Sequence, residues 1–231
     1  MTTTYKELKR RVMLKFPRSD GLAVLTVEQS INDALQVIAS VHDFDELITL
    51  DTTNAATVDG TKQYNATSDW GLTRPKDFYS IRLMDEANSR KLKYVPPERL
   101  DELIPYTELT GEGKPSFYTY RGVEVELFRI PDDAYSLYIQ YSQWPATLDE
   151  DADEIEYTNI DSVIVQLAFD MALSSLEGGS VDWQARAIQL LGIGINQEIV
   201  KPDRTFKAQP FRARTSNLVG EYWLNPWVKS S

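Results

Sequence analysis

At 231 residues, 42% of them hydrophobic and 26% charged, the chain has the composition of an ordinary globular protein, long enough to bury a core as one large domain or two small ones. No apolar run approaches the roughly 20 residues that a membrane helix needs, and the lack of cysteine removes disulfides and thiolate chemistry. A net charge of −11 works against general binding to DNA or to anionic membranes, because like charges repel at long range.

The first residues, Met1-Thr-Thr-Thr-Tyr5, lead into a charged segment without the apolar stretch of a signal peptide. With no cysteine, this suits assembly in a reducing cytoplasm. Thr4-x-x-Glu7 has the form of a capping box, and Tyr5, Leu8, Val12 and Phe16 follow at helical spacing, with Lys15 near the negative C-terminal end. Pro17 and Gly21 are expected to break this helix. A second box, Thr26-x-x-Gln29, predicts a helix carrying Val27, Ile31, Leu35, Ile38 and Val41. The single histidine, His42, falls at its end, where His commonly meets the last carbonyls, and one histidine excludes any multi-histidine metal site.

From about Asp45 to Tyr157 the period changes from 3.6 to 2. Leu47–Leu50, Phe78–Leu83 and Leu92–Val95 read as strands, Asp59-Gly60 as a hairpin signal, and Pro97–Ile104 as a short helix with Pro in its first turn. Val123, Val125 and Leu127 alternate with Glu124 and Glu126, giving one wet and one buried face. Gly122 supplies the turn from Phe117–Tyr120, and Tyr135, Leu137, Ile139 and Tyr141 make the next strand, so an antiparallel meander is expected. Asp149 to Glu156 holds six carboxylates in eight residues. Asn159 to Leu176 is apolar nearly all round, as a helix buried on several sides would be. Gly178-Gly179 should end it and Ser180 cap the next helix, with a stripe of Trp183, Ala187, Leu191, Ile195 and Ile199 that Pro202 stops.

Several partial motifs fail on inspection. Asp149, Asp151 and Asp153 resemble the start of a calcium loop, but Glu154 stands where the turn needs Gly and Ile160 where the bidentate Glu belongs. A solvated acidic linker explains them better. Gly111-Glu-Gly113-Lys114 lacks the first glycine of a phosphate loop, and Pro115 follows the lysine. Gly192 and Gly194 form no dinucleotide fingerprint; they are expected inside a helix, allowing close packing or a kink. No catalytic, cofactor-binding or metal-ligating set emerges.

The segment from Lys201 to Ser231 holds six basic and two acidic residues, so it is +4 and leaves −15 on the preceding body. It combines Phe206, Phe211, Tyr222, Trp223 and Trp227 with Arg212, Arg214 and three prolines, and no helical or strand period runs through it. Aromatic residues and Arg are the usual anchors of protein interfaces. These seven side chains are therefore the candidate partner-binding set, against the alternatives of a tail folded back on its own domain and of a single-strand nucleic-acid binder, which the acidic body argues against.

One stretch carries a resemblance. Lys114-Pro115 precedes a Tyr-rich strand, followed by Gly122, Leu127-Phe-Arg-Ile-Pro131, Asp132-Asp-Ala-Tyr135, Leu137, Tyr141, Pro145-Ala-Thr-Leu148, acidic residues, and Asp161 leading an apolar helix with Ala168. This pattern resembles the head-to-tail adaptor proteins of tailed bacteriophages, of the tail-tubular-protein-A type. Arg129 departs from it, since many such proteins carry Pro there. The resemblance implies a dodecameric ring beneath the portal, a DNA channel passed on to the tail, and C-terminal arms that clamp the portal.

The expected fold is α+β: an antiparallel helical bundle from both ends of the chain (1–44 and 158–200), an inserted antiparallel β domain with its acidic linker (45–157), and an extended C-terminal arm (201–231). The expected function is a non-enzymatic virion adaptor without cofactors. Its expected partners are copies of itself, the portal protein and a tail or nozzle protein, with DNA passing through unread and no membrane involved. A carbohydrate- or receptor-binding module and a hydrolase with convergent carboxylates are the rival classes.

Overall fold

Helix α1 (Tyr5–Met13) starts where its cap places it: the Thr4 hydroxyl oxygen accepts a hydrogen bond from the Glu7 backbone N–H at 3.4 Å. The return half of the box is missing, because the Glu7 carboxylate takes two 2.9 Å hydrogen bonds from Arg10 instead. These positions come from a computed structural model describing residues 3–16, 21–84, 89–103, 111–177 and 181–192. All of them belong to one compact unit, Met1–Gln197.

Helix α2 (Gly21–Val41) begins earlier than the second box predicts. Thr26 lies inside it and donates its hydroxyl proton to the Leu22 carbonyl at 2.8 Å, the back-bond of a mid-helix threonine. Gly21, expected as a breaker, is the first helical residue, where the cost of an interior glycine does not apply. Val27, Ile31, Ala34, Leu35 and Ile38 form the buried face.

After a 3₁₀ turn at Asp45–Leu47 the chain enters strands β1 (Ile48–Asp51), β2 (Gln63–Asn65), β3 (Pro75–Met84), β4 (Arg90–Lys91) and β5 (Lys93–Tyr94). Helix α3 (Pro97–Leu103) follows as the sequence predicts, then β6 (Phe117–Arg121), β7 (Glu124–Phe128) and β8 (Ser136–Gln143). One sheet has the order β1-β8-β3-β4, the other β2-β7-β6-β5, and only the β5–β6 pair is parallel. The β6–β7 hairpin turns on Gly122, whose φ of 62° a side chain would resist. The peptide bond before Arg129 is cis.

The predicted meander is not formed. The free edge of β7 is taken by β2, and β8 lies in the other sheet between β1 and β3. Pro131 has no N–H with which to continue a ladder, and its carbonyl instead accepts from Gly60 at 2.9 Å. The Asp59-Gly60 turn is likewise not a hairpin: it leads from a strand of one sheet to a strand of the other. The alternation in β7 holds, with Val125 and Leu127 buried and Glu124 exposed. Both sheets contribute to one core, which includes Trp70, Phe78, Ile81, Leu83, Leu127 and Ile139.

Helix α4 (Asp161–Glu177) packs against α1 and α2 and against helix α5 (Trp183–Leu191). Leu8, Val12, Ile31, Ile38, Ile164 and Leu167 are buried together there, and Leu148, Ile155 and Tyr157 of the preceding segment join them. The cap of α5 is Asp182, not Ser180: its Oδ1 accepts from the backbone N–H groups of Gln184 and Ala185 at 3.1 Å. Gly192 is not a packing glycine inside a helix. It ends α5 in the left-handed conformation (φ 67°), and nothing lies within 4 Å of where its Cβ would be. The molecule is thus mixed α+β, with five α-helices and two sheets among the described residues.

Candidate assembly surfaces

Large apolar side chains left in water are informative where they cluster. Three stand out: Leu14 (74% exposed), just past the end of α1, and Leu22 (65%) and Leu25 (59%), in the opening turns of α2. The reason is helical phase: Val27 and Ile31 turn inward, while Leu22 and Leu25 share the outer stripe that becomes polar from Gln29 onward. Nearby, Lys15 donates to the Gln166 side-chain oxygen at 2.7 Å, and Arg11 faces Asp161 at 3.5 Å.

A groove of about 450 Å³ lies between α4 and α5. Leu173, Val181 and Trp183 give it an apolar lining, and Asp170, Glu177 and Arg186 its charges. Arg186 is committed to Asp170, with bonds of 2.9 and 2.8 Å, and Asp170 also accepts from Gln166 at 2.7 Å. Glu177 is exposed at the end of α4, whose last turn carries no basic residue.

The helical and β parts are joined by a buried ionic knot. Asp43, just beyond α2, accepts from the Lys76 ammonium at 2.6 Å and from the Tyr79 hydroxyl, both on β3. Lys76 also donates to the Ala39 carbonyl and stands 5.3 Å from the centre of the Trp144 ring. Burial pushes the Tyr79 phenol up to about 12. No sequence signal marks this knot, because an Asp after a helix looks like an ordinary terminal residue.

These are surfaces and joints, with no convergent catalytic set among them. The SU10 adaptor protein family pattern matches residues 3–199. The chain belongs to this family. Its members are phage head–tail adaptors, the class that the stretch from Lys114 to Ala172 resembles, and the chain is accordingly a structural component of a phage virion. A search of curated proteins returns no match.

In this adaptor the acidic stretch does more than hang in solvent. The Asp153 carboxylate accepts from the backbone N–H groups of Asp149 and Glu150 at 2.8 and 2.9 Å, which holds it below the usual carboxylate range. The Asp151 carboxylate pairs with Lys9 at 2.7 Å, and the Tyr5 N–H donates to the Asp153 carbonyl at 2.8 Å. Arg74 closes the far end on Glu156. The stretch is thereby strapped to the start of α1. His42 sits edge-on to Phe44 at 4.7 Å, a packing role. The seven arm residues singled out by sequence, Phe206, Phe211, Arg212, Arg214, Tyr222, Trp223 and Trp227, lie outside the described residues, as do Gly178, Gly179, Ser180, Gly194, Ile195, Ile199 and Pro202. The family match also ends before the arm begins.

Proposed function

We propose that the chain is a non-enzymatic head-to-tail adaptor that assembles as a closed ring, twelve-fold as in the proteins it resembles, beneath the phage portal. In this reading its helices form an antiparallel bundle that carries the β region as an insert. The ring extends the DNA channel and offers an attachment surface to the tail, while residues 201–231 dock on the portal. The observation that carries the proposal is the family match across residues 3–199.

Charge supports the channel. DNA must slide through without being held, and a body of −15 repels phosphate instead of binding it. The aromatic residues of the β region argue against a sugar-stacking module, since Tyr64, Trp70, Tyr118 and Tyr141 are buried in the core. Electron microscopy of the purified chain mixed with the portal protein of the same phage tests the proposal. A ring of adaptor density on the portal is expected; a portal that stays bare at saturating adaptor overturns it.

A further inference from the structure

Arg82 on β3 stands directly opposite Lys91 on β4, so both side chains leave the same face of the sheet. Like charges placed in this way repel each other and weaken the strand pair. Both residues are exposed, and neither has an ion-pair or hydrogen-bond partner among the described residues. Asp85 and Glu86, in the segment joining the two strands, lie outside the described residues. On the other side of Arg82 the row continues with the half-buried Tyr138 of β8. This is the outward face, because the flanking Ile81, Leu83, Leu137 and Ile139 are buried in the β core. Breaches of a local rule of this kind gather at functional surfaces.

The same chain carries a complementary surface. Asp149 to Glu154 holds five carboxylates in six residues. Two lysines of α1 stand near them: the Lys6 backbone N–H donates to the Asp151 carbonyl at 3.2 Å, and the Lys9 ammonium is shared by Asp151 and Glu28. The turn therefore stays acidic. The carboxylates of Asp149, Glu150 and Glu154 are exposed and have no partner among the described residues. The turn is also held in shape, by the two N–H groups on Asp153 and by the Ile155 N–H on the Thr3 carbonyl at 3.1 Å, so a contact with it orders little new chain. The two surfaces do not meet within one copy. The basic row crosses β8 at Tyr138, near its start. The acidic turn follows from the far end of β8 and is anchored to the helices, where the Leu148 backbone bonds the Asn32 side chain at 2.9 and 3.1 Å.

We propose that the open sheet face receives the acidic turn of a second copy, so that Glu150 and Glu154 of one adaptor meet Arg82 and Lys91 of the next beside Tyr138. Two different surfaces on each copy are what a ring of identical subunits needs, because a self-complementary patch stops at a dimer. Exposed charge pairs fix register and partner choice more than they add affinity, which suits a contact repeated around a ring. Duplex DNA is the other polyanion that reaches such an adaptor, but its phosphates would have to approach a body of −15. The inference rests on the ring proposed above, and names the surfaces that join its copies.

Two full-length variants reverse the two surfaces: Arg82→Glu with Lys91→Glu, and Glu150→Lys with Glu154→Lys. Each is mixed with the portal protein of the same phage, and portal filling is counted by electron microscopy against adaptor concentration. Wild type is expected to give complete rings. Either variant alone should need about tenfold more protein, because like charges then face each other at every contact, while its melting temperature stays at the wild-type value. An equimolar mixture should recover wild-type filling, since each reversed surface then meets its opposite on the other variant. Variants that fill the portal at the wild-type concentration, or a mixture no better than either alone, place the contact elsewhere and overturn this inference while sparing the ring. A wild-type chain that retains duplex DNA at low salt, and loses it with Arg82→Glu and Lys91→Glu, assigns the face to phosphate with the same consequence. If wild type leaves the portal bare at saturation, the ring and the contact fall together.

Discussion

Asp43 is almost inaccessible, and the Lys76 ammonium and the Tyr79 hydroxyl face its charge. Removing one member of a buried pair strands the other, which costs far more than the intact pair contributes. Lys76→Met is therefore expected to lower the unfolding free energy by about 3–5 kcal/mol in urea denaturation, and adding Asp43→Leu should restore part of it. A Lys76→Met protein as stable as wild type would show that the knot is not what joins α2 to β3. Asp153 gives a milder, pH-dependent case. Its folded value lies below the ordinary 3.8 because two backbone N–H groups stabilise its charge. Its contribution is thus whole above the unfolded value and is lost as pH falls through the folded one. Carbon-detected titration should place the Asp153 midpoint below 3.8, and a midpoint at or above that value removes the strap argument. Residue-scale features were legible where cause and partner are close in sequence, as with Thr4 and Glu7. The Asp43–Lys76 pair spans 33 positions and left no trace.

The same distinction governs the elements. Helix α4 was recognisable because an apolar helix with hardly a wet side must have neighbours on several sides, and it packs against α1, α2 and α5. Leu167 is fully buried there, so Leu167→Asp would place an unpaired charge in the core and cost several kcal/mol. A soluble Leu167→Asp variant that still melts cooperatively near the wild-type temperature would contradict the packing. Gly192→Ala should cost about 1 kcal/mol, from backbone strain alone, because φ is 67° and the space around it is open; thermal melts measure it. Element ends were harder to place. A threonine followed three residues later by glutamine signals a start only if the threonine is free to cap, and Thr26 instead bonds backward to Leu22. Pairing was harder still. Strand β8 was legible as a strand, but nothing in its alternation says that β3 and β1 will take it while β2 takes β7, since partner choice is decided by contacts far apart in the chain.

For the whole molecule the informative quantity is the division of charge, −15 on the body and +4 on residues 201–231, together with a family match that ends at residue 199. If the last thirty or so residues serve a partner, the body folds without them. Truncation after Pro202 should then leave the melting temperature nearly unchanged while binding to the portal falls sharply. Trp223→Ala and Trp227→Ala should each reproduce part of that loss, up to ~2 kcal/mol or more for an anchor seated in a well-packed pocket. Replacing Arg212 and Arg214 should reduce the salt sensitivity of binding, because screening acts on their share and leaves the aromatic share largely intact. Calorimetry of the truncated chain decides the matter first. A melt lowered by many degrees, or lost cooperativity, would mean that the aromatic residues of the tail complete the adaptor's own core, and the docking arm would have to be abandoned whatever the portal assay shows.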